Sequence, residues 1–454
     1  MKSRLLVIGL MLGLVVPCRG DTGIPEKAEG LRRTGVGPTG RVVLEGPMTL
    51  HEALVIGLEH DLQRAIAESG MSEVKSSRSE LLGKGGPELL AQGYQISGTD
   101  GVWERDPGLD ALARAGTRES VSVMRARLMI PLFSGGRFSE QMAAAQQAEQ
   151  AALARVACSQ RERAREIRKG YFRVLAQQGR LAVLDWELSK REEVLKKAEQ
   201  LVGDGRLAPF VLGRYRAEID SARQRRNLAV ADKTAAEAAM KTLLGLDISS
   251  HITCTDTLGL PPEAGSVDDN LATALADRPD LVAARHGLKE SEHRLASAEA
   301  DYLPQLHLTG EYASVAGGTG HPMESYPGAS GGIALSVPIF SGGLREAEVG
   351  RKRTLKQSRE RSLEELQAEI AREVVEVRAR HDAAVANVEL GRSRVEQTTS
   401  DLSISLQRHD ISQADHLEVL DAMSACSRAR QDANSSLADV NWSYADLLYV
   451  TGRY

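Results

Sequence analysis

The sequence has few aromatic residues, no excess of basic residues and no long apolar run after its first twenty positions. Aromatic residues make up 4% of the 454 positions. Together with abundant Ala, Glu, Arg, Gln and Leu, this indicates long packed helices rather than ordinary globular domains. A formal net charge of −5 gives no basic face for nucleic acid. After the N-terminus, no stretch is predicted to span a bilayer as a helix.

Cysteine is also scarce, with four residues in the chain. Cys158, Cys254 and Cys426 lie far apart and, without Cys18, are odd in number. This spacing fits neither a disulfide framework nor a zinc site. We therefore interpret the three as small apolar residues that fill space.

Residues 1–20 have the pattern of a signal peptide. Lys2 and Arg4 precede a short apolar stretch, and small residues allow cleavage before Asp21. Lipidation of Cys18 is the alternative, disfavoured by the Val and Pro that precede it. We expect an exported protein without a helical membrane span.

A seven-residue phrase occurs twice, at 130–136 (Ile-Pro-Leu-Phe-Ser-Gly-Gly) and at 337–343 (Val-Pro-Ile-Phe-Ser-Gly-Gly), and the copies are 207 residues apart (338 − 131). Proline cannot donate to a sheet, and paired glycines allow sharp turns. Each copy therefore predicts the end of a strand followed by a helix. The turn residues are Pro131, Gly135, Gly136, Pro338, Gly342 and Gly343.

A very long helical pattern follows each phrase. From Arg137 to about Val202, apolar residues recur every seventh position at Ile167, Val174, Leu181, Leu188, Leu195 and Val202. About 65 residues at ~1.5 Å each give a rod of roughly 100 Å. A glycine break at 203–205 and a second helix to Leu244 predict an antiparallel hairpin. The same plan recurs from Leu344 to about Gln407, with a break near 410–412 and a final helix ending at Gly452.

These matching positions predict a tandem duplication. The expected organisation is a signal peptide (1–20), an extended lead-in (21–47), a first repeat (48–247), a linker (248–269) and a second repeat (270–454). Each repeat is expected to hold a helix, two strands and a long helical hairpin.

Shorter sequence patterns predict the remaining elements of the two repeats. A capping box of Thr49 and Glu52 predicts a helix towards Ser77, and a second helix is expected from Asn270 to about Asp301. A glycine-rich loop is expected at 316–331.

The predicted strands alternate between apolar and polar residues. One face carries Met124, Leu128, Ile130, Leu306, Leu308, Ile333, Leu335 and Val337. The other carries Arg125, Arg127, Gln305, His307 and Glu311. An apolar outer face with a polar inner face is typical of a membrane barrel. Four strands cannot close a sheet, so closure requires several chains.

The two phrases, the Ala-Asp-Arg-Pro-Asp-Leu sequence at 276–281 and the Leu-Glu-Val-Leu-Asp-Ala sequence at 417–422 resemble the TolC-like outer-membrane efflux protein family. The resemblance implies a mainly α fold with a membrane β-barrel. In a homotrimer, four strands per chain would form a 12-stranded β-barrel in the outer membrane of a Gram-negative bacterium. The duplicated hairpins would form an α-barrel through the periplasm.

The resemblance also implies a function. The protein would be a passive exit duct of a tripartite efflux or secretion system. Its partners would be a periplasmic adaptor (membrane fusion) protein and an inner-membrane transporter of the RND, ABC or MFS type. No cofactor is expected.

The resemblance places one candidate site at the tip of the second hairpin. Glu418 and Asp421 lie on one helical face and match the family's acidic aperture ring, which would attract cations and repel anions. Arg408 and His409 are candidate gate-closing partners. The plainer interpretation of the acidic pair is a solvated helix face.

The sequence contains no pattern for catalysis. It has no nucleophile elbow, phosphate-binding glycine loop or metalloprotease signature. His286/His293 and His409/His416 are seven apart, whereas metal ligands on one helix face are three or four apart, so they are interpreted as exposed helix residues. A periplasmic adaptor and a soluble coiled-coil scaffold are the alternative classes.

Overall fold

A computed structural model describes residues 32–37, 40–97, 120–205, 208–316, 325–410 and 416–453. The predicted signal peptide and Cys18 lie outside these residues. The first half contains β1 (Arg32–Val36), β2 (Val42–Met48), α1 (Leu50–Glu59), α2 (Leu62–Lys84), β3 (Glu88–Ser97), β4 (Ser120–Phe133), α3 (Arg137–Gly203) and α4 (Phe210–Leu243). The second half contains β5 (His251–Cys254), α5 (Val267–Asp277), α6 (Pro279–Ala300), β6 (Gln305–Ala316), β7 (Ser325–Ser336), α7 (Leu344–Asp410) and α8 (His416–Val450).

The long helices of the two hairpins have the predicted extent. Helices α3 and α7 have 67 residues each, which corresponds to roughly 100 Å. Within the described parts of the chain, none of the helices combines the length and apolarity needed to cross a bilayer.

The helices that open the two halves are each interrupted, which corrects the prediction of single helices. The capping box is confirmed, because Thr49 accepts from Glu52 N–H and the Glu52 carboxylate accepts from Thr49 N–H at 2.8 Å. However, α1 ends at Glu59, and α2 continues past Ser77. In the second half, Pro279 separates α5 from α6 because it disfavours helical geometry at Arg278.

Arg278, from the second motif of the resemblance, joins this break to the long helix α7. It is 6% exposed, and its guanidinium donates to Asp280 at 2.6 Å and to Glu373 on α7 at 2.7 Å. Burial lowers the pKa of Arg278, but the hydrogen bonds and charges of both carboxylates outweigh it and raise the pKa above its ordinary value.

A small sheet occupies the segments predicted as lead-in and linker. Strands β1 and β2 pair antiparallel, and β2 pairs parallel with β5. The segments predicted as an extended lead-in and a linker thus contain paired strands that the sequence analysis did not assign. The apolar residues Leu44, Met48 and Ile252 bury this sheet against α3 and α4, and tertiary packing of this kind is not visible in so short a run.

The four remaining strands form an antiparallel sheet in the order β3-β4-β6-β7. Its pairing confirms the predicted faces. Leu308 lies opposite Ile130 and Ile333, and Glu311 lies opposite Arg127. On the polar face, the Glu311 carboxylate pairs with Arg125 at 3.0 Å and with Arg127 at 3.3 Å. Strand β7 begins at Ser325, so residues 325–331 belong to a strand and not to the predicted loop.

The two copies of the phrase end their strands at different places. Pro131 lies inside β4, which continues to Phe133, whereas β7 ends at Ser336 before Pro338. Both copies therefore lie between a strand and a long helix as predicted, but the first strand continues past its proline and past the Ile130 at which the strand was expected to end. Strand β3 pairs with β4 only as far as Met129, whereas β6 pairs with it as far as Phe133 and so extends the strand past the proline.

The glycines of both phrases form the predicted turns. Gly135, Gly136, Gly342 and Gly343 have φ values of 63°, 88°, 65° and 82°, which other residues rarely adopt. Gly135 also packs closely, since an added Cβ would lie 2.6 Å from Leu303 Cβ.

Helix α3 lies at the centre of the helical packing, in contact with α1, α2, α4, α6 and α8. The predicted seam is fully buried at Ile167 and Val174, but Leu181 and Leu188 are only partly buried. In this stretch the buried residues of α3 are instead Leu184, Glu187, Arg191, Val194 and Ala198. The prediction of a single heptad seam was therefore wrong for the C-terminal half of α3, because several neighbouring helices pack against different faces of it.

The cysteines fit the space-filling interpretation. Cys254 and Cys426 are buried and Cys158 is partly buried, and none of the three forms a disulfide. Burial raises the pKa of the Cys158 thiol to about 11.

Candidate functional site at the hairpin tips

The tip of the second hairpin lies between the end of α7 and the start of α8. Helix α7 extends to Asp410 and α8 begins at His416. Of the predicted break near 410–412, residues 411 and 412 lie outside the described residues.

The two acidic residues face away from the helical core. Glu418 is partly exposed and Asp421 is exposed, whereas Val419, Leu420 and Met423 are buried. Because residues three apart share a helix face, the two carboxylates form one polar strip on the outer side of α8. Glu418 and Asp421 therefore lie on the same side of α8, and their place at an aperture stays a prediction.

Arg408 lies beside one of these acids. Its Nη1 donates to Glu418 Oε1 at 2.8 Å, across the turn between α7 and α8. The side chains are 48% and 38% exposed, so solvent screens the pair and its contribution is about 0–1 kcal/mol. In this conformation the Glu418 charge is thus balanced by a cation of the same chain.

His409, the second predicted partner, has a different environment. It is 9% exposed, so its ring lies inside the hairpin and not at its surface. His409 therefore lies on the packed face of α7, and its role as a gate-closing partner stays a prediction.

The corresponding positions of the first hairpin carry no acid. Val211 and Arg214 are the counterparts of Glu418 and Asp421 at the spacing of the two phrases. Val211 is 3% exposed and packs in the core, while the neighbouring Phe210 is 81% exposed. The two tips therefore present different chemistry.

Both hairpins share one apolar cluster directly behind the tips. The cluster combines residues of all four hairpin helices: Val194, Ala198, Val211, Tyr215, Leu402, Val419, Leu420, Met423 and Cys426. A displacement of α8 would therefore disturb the first hairpin as well as its own.

Further from the tips than this cluster lies a buried ionic group that the sequence analysis did not predict. Arg191 and Glu187 are each 2% exposed and their side chains pair at 2.9 Å. The Glu187 carboxylate also accepts from Arg225 of α4 at 2.6 Å and from the Ser427 hydroxyl of α8 at 2.6 Å. Arg191 in turn donates to Ser424 of α8 at 2.9 Å. We call these five residues the interlock.

The interlock connects the first hairpin to helix α8 of the second. Burial raises the pKa of Glu187, but the Ser427 hydrogen bond and the charges of Arg191 and Arg225 outweigh it, so the pKa lies below its ordinary value. Glu187 is therefore a carboxylate. A charged pair at i, i+4 within an apolar repeat was the available sequence signal, but such pairs are usually solvated.

The histidines of α6 also differ from the prediction of exposed helix residues. His286 Nδ1 lies 2.8 Å from Gln147 Oε1, and His293 Nδ1 lies 2.8 Å from Glu140 Oε2. Both rings are partly buried and bridge α6 to α3.

Long paired hairpins beside a four-stranded antiparallel sheet, in two similar halves, define the architecture of helical-barrel outer-membrane channels. The chain belongs to the outer membrane efflux protein family, whose model matches residues 105–246 and 270–453. This confirms the resemblance, the fold class and the outer-membrane localisation.

Individual relatives are distant. The outer membrane efflux protein BepC of Brucella suis is 24% identical over 228 residues, 50% of this chain and 49% of that protein, so the chain spans about half the length of this relative. The outer membrane protein OprJ of Pseudomonas aeruginosa is 23% identical over 379 residues, 79% of this chain and 77% of that protein. The crystal structure of the outer membrane protein VceC of Vibrio cholerae shares the fold, with a TM-score of 0.75 at 16% identity over 89% of this chain and 96% of that one.

Proposed function

We propose that the chain forms a homotrimeric exit duct, which conducts substrates passively across the periplasm and outer membrane. An inner-membrane transporter of the RND, ABC or MFS type would deliver the substrates through a periplasmic adaptor. In this assembly the three four-stranded sheets close into one 12-stranded barrel in outer-membrane lipid.

The sheet carries this proposal. Its edge strands β3 and β7 each have a strand neighbour on one side only within the described chain. Its apolar face is exposed, with Leu89, Met124, Ile333 and Leu335 each at least 66% accessible. Unpaired backbone cannot remain in hydrocarbon, so an apolar sheet with two open edges requires further strands.

The assembly can be tested directly. We expect the processed chain in the outer-membrane fraction as an SDS-resistant trimer that dissociates on heating, and loss of efflux when its gene is deleted. A water-soluble monomer would refute the duct and favour a scaffold.

We further propose that Glu418 and Asp421 line the periplasmic aperture. Threefold symmetry would bring six carboxylates together, and like charges in a narrow opening favour cations. The Arg408–Glu418 pair would balance half of these charges in the closed conformation.

The aperture can be tested by single-channel recording. Glu418→Gln with Asp421→Asn should lower the cation-to-anion permeability ratio, and Arg408→Gln should raise it by freeing the Glu418 charge. Arg214→Gln, at the tip of the first hairpin, is the matched control. Unchanged selectivity in the double variant would exclude an aperture role.

A further inference from the structure

The two halves repeat with two different spacings. The phrase and the hairpins repeat with the spacing that relates Pro131 to Pro338, which we call the hairpin spacing. A longer spacing relates Pro87, which precedes β3, to Pro304, which precedes β6, and we call it the opening spacing. Helices α1 and α5, and likewise α2 and α6, begin at positions related by the opening spacing.

These two spacings agree with the register of the sheet. If β3 corresponds to β6 by the opening spacing and β4 to β7 by the hairpin spacing, the pair Glu88–Met129 must correspond to the pair Gln305–Ser336. Both pairs are present in the sheet. The two strand pairs are therefore equivalent, residue by residue.

Because the strand pairs are equivalent, the contact between the two halves of one chain predicts the contact between two copies of the chain. Inside the chain, β4 of the first half pairs with β6 of the second, with Leu128 opposite Gly310 and Met129 opposite Thr309. The open edge of β7 corresponds to that edge of β4, and the open edge of β3 corresponds to that edge of β6.

We infer that β7 of one copy pairs antiparallel with β3 of the next copy in a single register, with Leu335 opposite Gly93 and Ser336 opposite Gln92. This inference rests on the proposed trimer and specifies its seam. The register follows from the internal pairs of β4 and β6. Adding the hairpin spacing to each β4 residue gives the corresponding residue of β7, and subtracting the opening spacing from its β6 partner gives the corresponding residue of β3. This register also keeps each apolar residue on the apolar face, which a slip by one position would not.

The exposed residues directly after β7 support pairing of this edge with a strand of the next copy. Ile339 is 95% exposed and Phe340 is 86% exposed. The internal pair Phe133–Leu306 places Phe340 opposite Leu89 of the next copy, and Leu89 is itself 72% exposed. In the first half, the equivalent residues up to Phe133 are part of β4 because β6 pairs with them. The seam would therefore extend β7 beyond Ser336.

The turn glycines show the same difference. A Cβ on Gly135 would meet Leu303 and Ala300 of the second half, whereas a Cβ on Gly342 would meet nothing within 4 Å. By the opening spacing, Leu303 and Ala300 correspond to Gly86 and Gly83. The open side of Gly342 is thus the place where the next copy would lie.

The same two spacings, applied to the internal contacts between α3 and α6, predict contacts between α7 of one copy and α2 of the next. The internal contacts Gln147–His286 and Glu140–His293 correspond to Thr354 opposite Ser69 and Ala347 opposite Ser76 of the next copy. Small residues replace the bridging side chains, which allows α7 and the neighbouring α2 to approach closely.

Disulfide trapping in outer membranes tests the register. We expect Ser336→Cys with Gln92→Cys, or Leu335→Cys with Gly93→Cys, to yield cross-linked dimers and trimers under oxidation, with about tenfold more product than the single-cysteine variants. Two adjacent pairs are used because neighbouring pairs alternate between shorter and longer Cα separations. Met129→Cys with Thr309→Cys is the internal control, since this pair is adjacent within one chain.

Register controls decide the outcome. Ser336→Cys combined with Leu90→Cys or Tyr94→Cys, each two positions along β3 from Gln92, should give little product. Equal or stronger cross-linking of either combination, in a chain that still forms heat-sensitive trimers, overturns the register alone. Absence of any trimer, with the internal control still oxidised, instead overturns the proposed function.

Discussion

Glu187 and Arg191 of the first hairpin are buried, whereas their counterparts in the second hairpin, Arg394 and Thr398, lie at or near the surface. Arg394 pairs with Asp432 at 3.3 Å, and its side chain is 66% exposed. Two hairpins of nearly equal length therefore carry charge in different ways. At these matched positions the first hairpin has buried charges that contact α8, whereas the second has an exposed pair between α7 and α8.

The comparison teaches which contacts connect the halves. A buried pair that loses one partner leaves an uncompensated charge, whereas an exposed pair is screened by water. The interlock should therefore contribute more to stability than the exposed Arg394–Asp432 pair, which joins α7 to α8 within the second hairpin.

The largest expected effect is the loss of Glu187. Glu187→Ala removes the carboxylate that Arg191 and Arg225 share. Because Arg191 keeps Glu218 at 3.0 Å and the Arg225 side chain is 45% exposed, the free energy of unfolding should fall by about 1–3 kcal/mol. Arg394→Ala is the matched control and should cost no more than about 1 kcal/mol. Urea unfolding followed by far-UV circular dichroism measures both. Equal losses in the two variants would break the comparison.

The interlock also predicts a dependence on pH. The pKa of Glu187 is lowered in the folded chain, so its contribution is complete above the unfolded value of about 4.3 and is lost as the pH falls through the lower folded value. The stability difference between the native chain and Glu187→Gln should be constant near neutral pH and shrink in acid. A difference that grows in acid would contradict this assignment of charge.

The smallest expected effects concern the two equivalent helix caps. Thr49 and Ser266 are related by the opening spacing and each caps a helix, so Thr49→Ala and Ser266→Ala should each cost about 1 kcal/mol. The acids differ: Glu52 accepts from the Thr49 backbone, while Asp269 accepts from the Ser266 hydroxyl at 2.7 Å. Glu52→Ala should therefore destabilise more than Asp269→Ala, as measured by amide exchange of α1 and α5. The reverse order would show that the reciprocal bond in the first cap adds nothing.

The site was only partly accessible from the sequence. Glu418 and Asp421 share a face because of their spacing alone, so their grouping was predictable. The burial of His409 and the contact between Arg408 and Glu418 depend on how α7 packs against α8, which no local pattern specifies. The interlock was missed for a related reason, since Ser424 and Ser427 belong to the other half of the chain from Glu187 and Arg191.

The sequence alone determined the long helices, the turn glycines, the alternation of the strands and the repeat of the phrase, because helix period, strand period and backbone freedom are local properties. Only the tertiary structure decided the small sheet of β1, β2 and β5, the equivalence of strands by the opening spacing and the different ends of β4 and β7. These depend on which distant segment lies alongside. The same proline-containing phrase continues a strand beside β6 but ends one where the described chain supplies no neighbour.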